Sequence, residues 1–368
     1  MTIRTRAAVV PGPGASFIFE DVDLDDPRPD ETLVRMVACG VCHTDLAARE
    51  GMFGLDFPAV FGHEGAGIVE SAGAEVVRVK PGDRVVISFG SCGKCSACTA
   101  GHPAHCTSFD ELNFGGARPD GSSTIRDTKG AAIYSCFFGQ SSFAGHAVAG
   151  ERNLVPVDAS DDDELAMFAA LGCGLQAGAG TVLNELKPQP GESFAVFGAG
   201  AVGLSALMAA RMAGAAPIAA VDVVASRLEL ALELGATHVI DAGEHEIGST
   251  LRRLVGSIDN AVETTGVFSV IDQAIKSLAP FGKMSKLGVE HDESPHPVIP
   301  QAPGPNQKVF YSIAGDSDPL QFIPFMIRCY REGKFPFDRL IRQYSALDIN
   351  EAVRDSLSGR TIKAVLRF

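Results

Sequence analysis

The chain has no apolar run of the roughly 18 to 20 residues that a bilayer crossing needs. Its start, MTIRTRAAVV, has neither a long apolar segment nor a cleavage site of the secretory kind. Both absences point to a cytoplasmic protein. A basic excess is also missing: 31 Lys and Arg against 45 Asp and Glu leave a net charge of -14. That balance argues against nucleic acid or an anionic membrane as the main partner, since either favours a basic patch. A small neutral substrate suits it better. There is no internal repeat and no low-complexity tract. Cysteine, by contrast, is plentiful, with nine in 368 residues. Most stand at metal-ligand spacing, which in a reducing compartment means thiolates rather than disulfides.

Four of them, Cys92, Cys95, Cys98 and Cys106, lie in GSCGKCSACTAGHPAHC. Cys-x-x-Cys brings two thiolates onto one ion from a tight turn, and the two further cysteines complete a tetrahedral shell. A closed shell leaves no position for substrate, so this zinc is expected to pin a loop. His102 and His105 lie inside the same lobe and read as surface histidines, the shell being full. Three further candidate ligands, Cys42 in CGVCHTD, His63 in GHEGAG and Cys173 in GCGLQ, are far apart in sequence. Two thiolates and an imidazole with a fourth position open form a catalytic zinc pattern. Cys39, Cys136 and Cys329 remain and read as inert buried thiols.

At 368 residues the chain exceeds one typical core, and 46% hydrophobic residues can supply two. Up to about residue 176 the text is rich in Gly, Val and turns, with short runs such as ETLVRMVAC, AGIVESAG and GDRVVISF, and reads as strand-rich. Ala117 to Lys129 reads as a loop, as does the Pro-dense segment His291 to Asn306. After Cys173 the pattern becomes strand, glycine turn, helix, repeated: SFAVF, GAGAVGLSALMAARMAGA, PIAAVD, SRLELALELGA, THVID. This is βαβαβ, and strands at Asn260 to Glu263, Lys283 to Leu287 and Val309 to Ser312 would extend it into a doubly wound parallel sheet. Gly198, Gly200 and Gly203 form Gly-x-Gly-x-x-Gly between strand and helix, where glycines let a pyrophosphate approach the helix N-terminus. Asp222 ends the next strand, placed to accept from ribose hydroxyls and to repel a 2′-phosphate, which favours NAD over NADP. Arg227, five residues on, is the opposing detail, since it could balance such a phosphate.

These features, in the order GHE, Gly67, Gly73, Val76, four-cysteine lobe, Cys173 and nucleotide loop, resemble the zinc-dependent medium-chain alcohol dehydrogenases, from roughly the N-terminal strands to Phe368. Within that family NFGG at Asn113 to Gly116, DGSS at Asp120 to Ser123, FFGQSSF at Phe137 to Phe143 and FGAGAVGLSA look most like aryl (benzyl) alcohol dehydrogenases. The resemblance implies an α/β architecture: a strand-rich GroES-like catalytic domain over 1–176 and 318–368, and a doubly wound Rossmann domain over 177–317 that binds NAD. It implies two zinc ions per chain and a homo-oligomer, dimer or tetramer.

Further roles come from the same resemblance. Asp45 matches a carboxylate that fixes the tautomer of His63, although as a bare motif HTD is equally a helix cap. Glu64 matches a carboxylate behind the metal, with pairing to a buried cation such as Lys363 as the other reading. Lys363 and His43 match positions that contact the cofactor pyrophosphate. Thr44 matches the hydroxyl that bridges the alcohol and the nicotinamide ribose. Three residues further on, Ala47 stands where many members carry the histidine that hands the proton to solvent. The expected reaction is interconversion of a benzyl-type primary alcohol and its aldehyde, with zinc lowering the pKa of the alcohol oxygen. An allylic terpenoid alcohol such as geraniol is the alternative substrate. A redox- or NAD-sensing relative with a thiol-switch lobe is the non-enzyme alternative, opposed by the joint presence of Cys42, His63 and Cys173.

Overall fold

The computed structural model describes residues 3–289 and 303–368, so the expected loop from His291 lies outside the described residues except at its end. The chain forms two compact units. The first comprises Met1–Cys173, Asp318–Ile327 and Leu340–Phe368; the second comprises Gly174–Ser317 and Arg328–Arg339. Arg328–Arg339, expected with the zinc-binding domain, thus clusters with the second unit.

In the first unit one five-stranded sheet runs in the order Ala59–Val60, Ile3–Val10, Ile18–Leu24, Ile125–Asp127, Ala132–Ile133. A seven-stranded sheet runs Leu154–Pro156, Arg84–Ile87, Glu64–Ala72, Glu31–Gly40, Lys363–Arg367, Ile341–Ser345, with His146–Gly150 also paired to Glu31–Gly40. Ile125–Asp127 corrects the reading of Ala117 to Lys129 as loop throughout. Three residues, IRD, are too short and too polar to stand out in the sequence, and the strand exists because the edge of Ile18–Leu24 supplies its hydrogen bonds. The register that matters most is antiparallel: Gly40 lies opposite Glu64 on one side and opposite Val365 on the other. This ladder brings the first residues of two strands distant in sequence, Glu64 and Lys363, to one place.

The second unit carries a six-stranded parallel sheet in the order His238–Asp241, Ile218–Asp222, Phe194–Phe197, Ile258–Glu263, Leu278–Lys286, Lys308–Tyr311. FAVF and IAAVD are buried at every position, as parallel strands covered on both faces must be. The strand order reverses between Phe194–Phe197 and Ile258–Glu263, and the crevice beyond the carboxyl ends at such a reversal is where open α/β sheets take nucleotides. The turn there depends on two glycines in different ways. Gly198 has φ +92°, and a Cβ on Gly203 would stand 1.9 Å from the carbonyl oxygen of Gly198, so the helix Ala201–Met212 seats against the turn only with glycine there.

A Cβ on Gly200, by contrast, meets nothing within 4 Å, and its backbone angles suit any residue. Gly203→Ala is therefore expected to cost about 1–3 kcal/mol of stability by overpacking, read as a lower denaturant midpoint. Gly200→Ala should leave that midpoint unchanged and weaken NAD binding, measured by titration of nucleotide fluorescence. Equal destabilisation by both would contradict the assignment of the Gly200 space to a ligand.

Candidate active site

Cys42 is the N-cap of the short helix His43–Arg49, and Asp45 is its third helical residue. The Asp45 carboxylate accepts from the Cys42 N–H at 3.0 Å, the first half of a capping box. Its other oxygen accepts from the Gly62 N–H at 3.0 Å and from His63 Nδ1 at 2.8 Å. The cap and the histidine partner read as alternatives in HTD are one and the same side chain. With Nδ1 committed to Asp45, His63 presents Nε2 inward. That nitrogen is buried and finds no hydrogen-bond partner among the described residues.

The atoms around it explain why. Ligand atoms of Cys42, His63, Glu64 and Cys173 all lie within 4.8 Å of one another. Cys173 reaches the cluster from the break between the turn Ala169–Gly172 and the helix Gly174–Gly180. Burial works against charge on the His63 ring, yet the Asp45 carboxylate and the Cys42 sulfur hold its pKa up to about 10. The Cys42 thiol is held well below the usual range, chiefly by a hydrogen bond from Cys173, and that same bond together with burial pushes Cys173 well above it. An inward-facing imidazole nitrogen and two sulfurs form a donor set suited to zinc.

Glu64 is fully buried and ion-paired with Lys363, whose Nζ also donates to the Val41 carbonyl at 3.1 Å. Burial pushes the Glu64 carboxyl up, and the Lys363 charge opposes it. Lys363, expected either as this partner or as a pyrophosphate contact, is placed here against Glu64. Thr44 is half-buried, its Oγ1 3.8 Å from the Cys42 sulfur; Ala47 lies one helical turn further on, and His43 is exposed.

The sulfurs of Cys92, Cys95, Cys98 and Cys106 form a second group within 4.8 Å. Backbone N–H groups of Cys92 and Ser108 donate to the Cys106 sulfur at 3.2 and 3.4 Å, and that of Cys95 to the Cys92 sulfur at 3.4 Å. Backbone donors from Cys98 and Thr107 lower Cys95 to about 5 against a small burial penalty, while burial and the neighbouring sulfurs raise Cys98 to about 11. His102 and His105 are exposed and stand outside the four-sulfur group.

In the second unit the Asp222 carboxylate accepts from the N–H groups of Ala199, Val223 and Val224 at 2.6, 2.8 and 2.9 Å. It therefore holds the glycine turn as well as ending its strand. Arg227 Nη1 stands 3.8 Å from Asp222, and its buried Nε has no partner among the described residues. The space at Gly200, where a Cβ meets nothing, is the approach a dinucleotide pyrophosphate requires.

Sequence reasoning passed over several residues that pack against the metal cluster. His63 stacks on Phe138, with ring centroids 4.4 Å apart and 25° between planes, and meets Phe137 edge-on at 5.5 Å. Gln140 bonds the backbone on both sides of Glu64, at the His63 carbonyl and the Gly65 N–H. The signal was FFGQSSF itself, noticed as a likeness but not as part of a site.

A metal cluster in a strand-rich unit and a dinucleotide turn in a parallel sheet together define a metal-dependent dehydrogenase. Residues 28–159 match the family model described as the alcohol dehydrogenase GroES-like domain, and residues 201–328 match that of the zinc-binding dehydrogenases. The chain belongs to the zinc-dependent medium-chain alcohol dehydrogenase family, whose cofactors are zinc and NAD. It is 43% identical to a geraniol dehydrogenase of Castellaniella defragrans over all of this chain and 98% of the relative. Among solved structures, the alcohol dehydrogenase zinc-binding domain protein of Burkholderia ambifaria is 44% identical, with TM-score 0.94 and full coverage of both chains. Benzyl alcohol dehydrogenase of Acinetobacter calcoaceticus is 39% identical, with TM-score 0.92 over all of this chain and 99% of that one.

The two sulfur groups should respond differently to mutation. Cys173→Ala should abolish turnover in a folded protein that keeps one zinc. Cys98→Ser should lower the thermal midpoint by at least about 5 °C, because a structural zinc contributes folding free energy. Zinc analysis of both variants and the wild type checks this; one zinc per chain in active wild type would contradict it. Asp222→Gly should weaken NAD and improve NADP relative to it by about 1–3 kcal/mol, the range for losing a charge-assisted hydrogen bond, measured as a ratio of kcat/KM values. A wild type that already prefers NADP would overturn the role given to Asp222.

Proposed function

We propose that this alcohol dehydrogenase interconverts benzyl-type primary alcohols and their aldehydes, using NAD and a zinc ion held by Cys42, His63 and Cys173. The observation that carries the reading is a line of phenylalanines leading outward from the metal ligand. Phe138 stacks on His63; Phe114 stands 5.0 Å from Phe138 and 5.9 Å from Phe137; Phe53 stands 5.3 Å from Phe114. Phe114 is half-buried and Phe53 exposed, so the line of packed rings runs from His63 to the outside of the unit. A substrate ring packing there gains about 0.5–1.5 kcal/mol per aromatic pair beyond its area burial. A zinc ion held by Cys42, His63 and Cys173 would polarise the alcohol oxygen. Asp45 keeps the proton on His63 Nδ1, leaving Nε2 as a donor to the metal, and the Glu64–Lys363 pair sets the charge behind it. The Thr44 hydroxyl, beside the Cys42 sulfur, would accept the alcohol proton, and Ala47, one helical turn further on, offers no imidazole to pass it further.

A second reading, an allylic terpenoid alcohol, is supported by the geraniol dehydrogenase relative, since an sp2 carbon beside the carbinol packs against the same rings. The reading includes a homo-oligomer in the cytoplasm; no single helix among the described residues is long and apolar enough to cross a membrane. Initial rates with benzyl alcohol, cinnamyl alcohol, geraniol and a straight-chain alkanol test the substrate. Benzyl alcohol should exceed ethanol in kcat/KM by at least about tenfold, roughly 1.4 kcal/mol. A preference for ethanol, secondary alcohols or polyols would refute both readings, and geraniol well ahead of benzyl alcohol would select the second.

A further inference from the structure

The segment FFGQSSF is held in an unusual backbone. Cys136, Phe138 and Ser141, none of them glycine, have φ values of 57°, 52° and 53°. Such left-handed residues persist only where their surroundings over-determine them, and here Gln140 and its neighbours supply the constraint. The Gln140 side chain is buried, and both ends of its amide are used. Nε2 donates to the His63 carbonyl at 2.9 Å and, at a longer 3.4 Å, to the Ser88 carbonyl. Oε1 accepts from the Gly65 N–H at 3.1 Å and from Ser142 Oγ at 2.6 Å. Only this orientation of the amide works, because the two carbonyls need donors and the N–H needs an acceptor.

The backbone groups that Gln140 grips, the His63 carbonyl and the Gly65 N–H, flank Glu64. The contact is close enough that a Cβ on Gly65 would stand 2.8 Å from Gln140 Oε1 and 2.5 Å from Ser142 Oγ, which accounts for the glycine after GHE. The reach continues through Ser88. Its Oγ donates to the Gly172 carbonyl at 2.7 Å, and Gly172 immediately precedes Cys173. Asn153 Nδ2 bonds both the Ser88 and the Phe138 carbonyls, at 2.9 and 3.0 Å, closing the network onto the ring that stacks on His63. One amide therefore ties the backbone of His63 directly, and that of Cys173 through one serine.

We infer that Gln140 is a positioning residue for the metal: by fixing the backbone at His63 and, through Ser88, at Cys173, it sets the distance between the imidazole and the second sulfur. The inference rests on Cys42, His63 and Cys173 as metal ligands and extends that reading to a residue with no donor atom in the cluster. Where outer hydrogen bonds orient ligands, their loss changes metal affinity by about ten- to a hundredfold. Gln140→Leu keeps the approximate volume and leaves the His63 carbonyl and the Gly65 N–H without partners. Gln140→Glu keeps the acceptor and removes the paired donors.

The test is zinc release from the intact holoenzyme to 4-(2-pyridylazo)resorcinol, with the four-cysteine zinc as internal control, and the absorption bands of the cobalt-substituted protein. In Gln140→Leu one of the two zinc ions should leave about ten- to a hundredfold faster while the other keeps its wild-type rate, and the cobalt bands should shift. Release within twofold of wild type with superimposable cobalt bands would overturn the inference. So would equal acceleration of both ions alongside a lowered thermal midpoint, the mark of a general loss of stability. Should Gln140→Leu not fold, Gln140→Glu and the milder Ser142→Ala carry the same assay and the same two outcomes. A wild type holding one zinc would overturn the ligand reading itself, and the inference with it.

Discussion

The site depends on one carboxylate with three donors. Asp45 caps the helix that begins after Cys42, fixes the turn at Gly62 and accepts a hydrogen bond from His63 Nδ1–H. Each of these could be served by a different residue, but serving all three from one buried side chain removes the freedom of Cys42 and His63 to move apart. The energetic consequence follows from burial. An ionised carboxylate out of water is tolerated only with its lone pairs satisfied, so losing any one of the three donors weakens the case for the charge that the other two rely on. The helix start, the strand Glu64–Ala72 and the imidazole are thereby made parts of one electrostatic unit.

The two sulfur groups meet the same demand, stabilising thiolates, in different dielectric surroundings. In the four-cysteine lobe backbone N–H groups do much of the work: they outweigh burial at Cys95, while burial and the neighbouring sulfurs prevail at Cys98. In the inner cluster His63 and Glu64 are fully buried, and the charge of Lys363, held up against burial by Glu64, helps to lower the Cys42 thiol. Such a pocket responds strongly to small displacements of charge, because interactions there are weakly screened. This gives physical meaning to the amount of hydrogen bonding spent on backbone around it: Gln140, Ser88, Asn153 and Asp45 all constrain main chain rather than contact ligand atoms alone.

What could be read from the sequence was what repeats over short distances. The parallel strands FAVF and IAAVD, the glycine turn and the cysteine spacing each put their signal within twenty residues or so, and the parallel sheet follows the order these imply. The two roles of Asp45 looked like rivals because a cap is local and a histidine partner is not; only the fold lets both be true. Lys363 had two readings for the same reason, and the ladder through Gly40 is what places it beside Glu64. The strand Ile125–Asp127 and the membership of Arg328–Arg339 in the second unit were hidden, since both are decided by what the segment packs on and neither carries a period of its own. Gln140 was hidden differently. An isolated glutamine in a loop has no chemical signature until its two carbonyls and one N–H are seen around it.

The Lys363 ammonium bonds a carbonyl 322 residues earlier in the chain. Bringing such distant segments together costs little more loop entropy than closing a loop half as long, but it requires the search among non-local pairings that slows the formation of sheets. Until the strand Lys363–Arg367 docks on Glu31–Gly40, Glu64 has no cation beside it, and a buried carboxylate without one takes up a proton or keeps its water. The charge balance of the inner cluster is thus a property of the finished sheet, whereas the four-cysteine lobe draws all its ligands from fifteen consecutive residues.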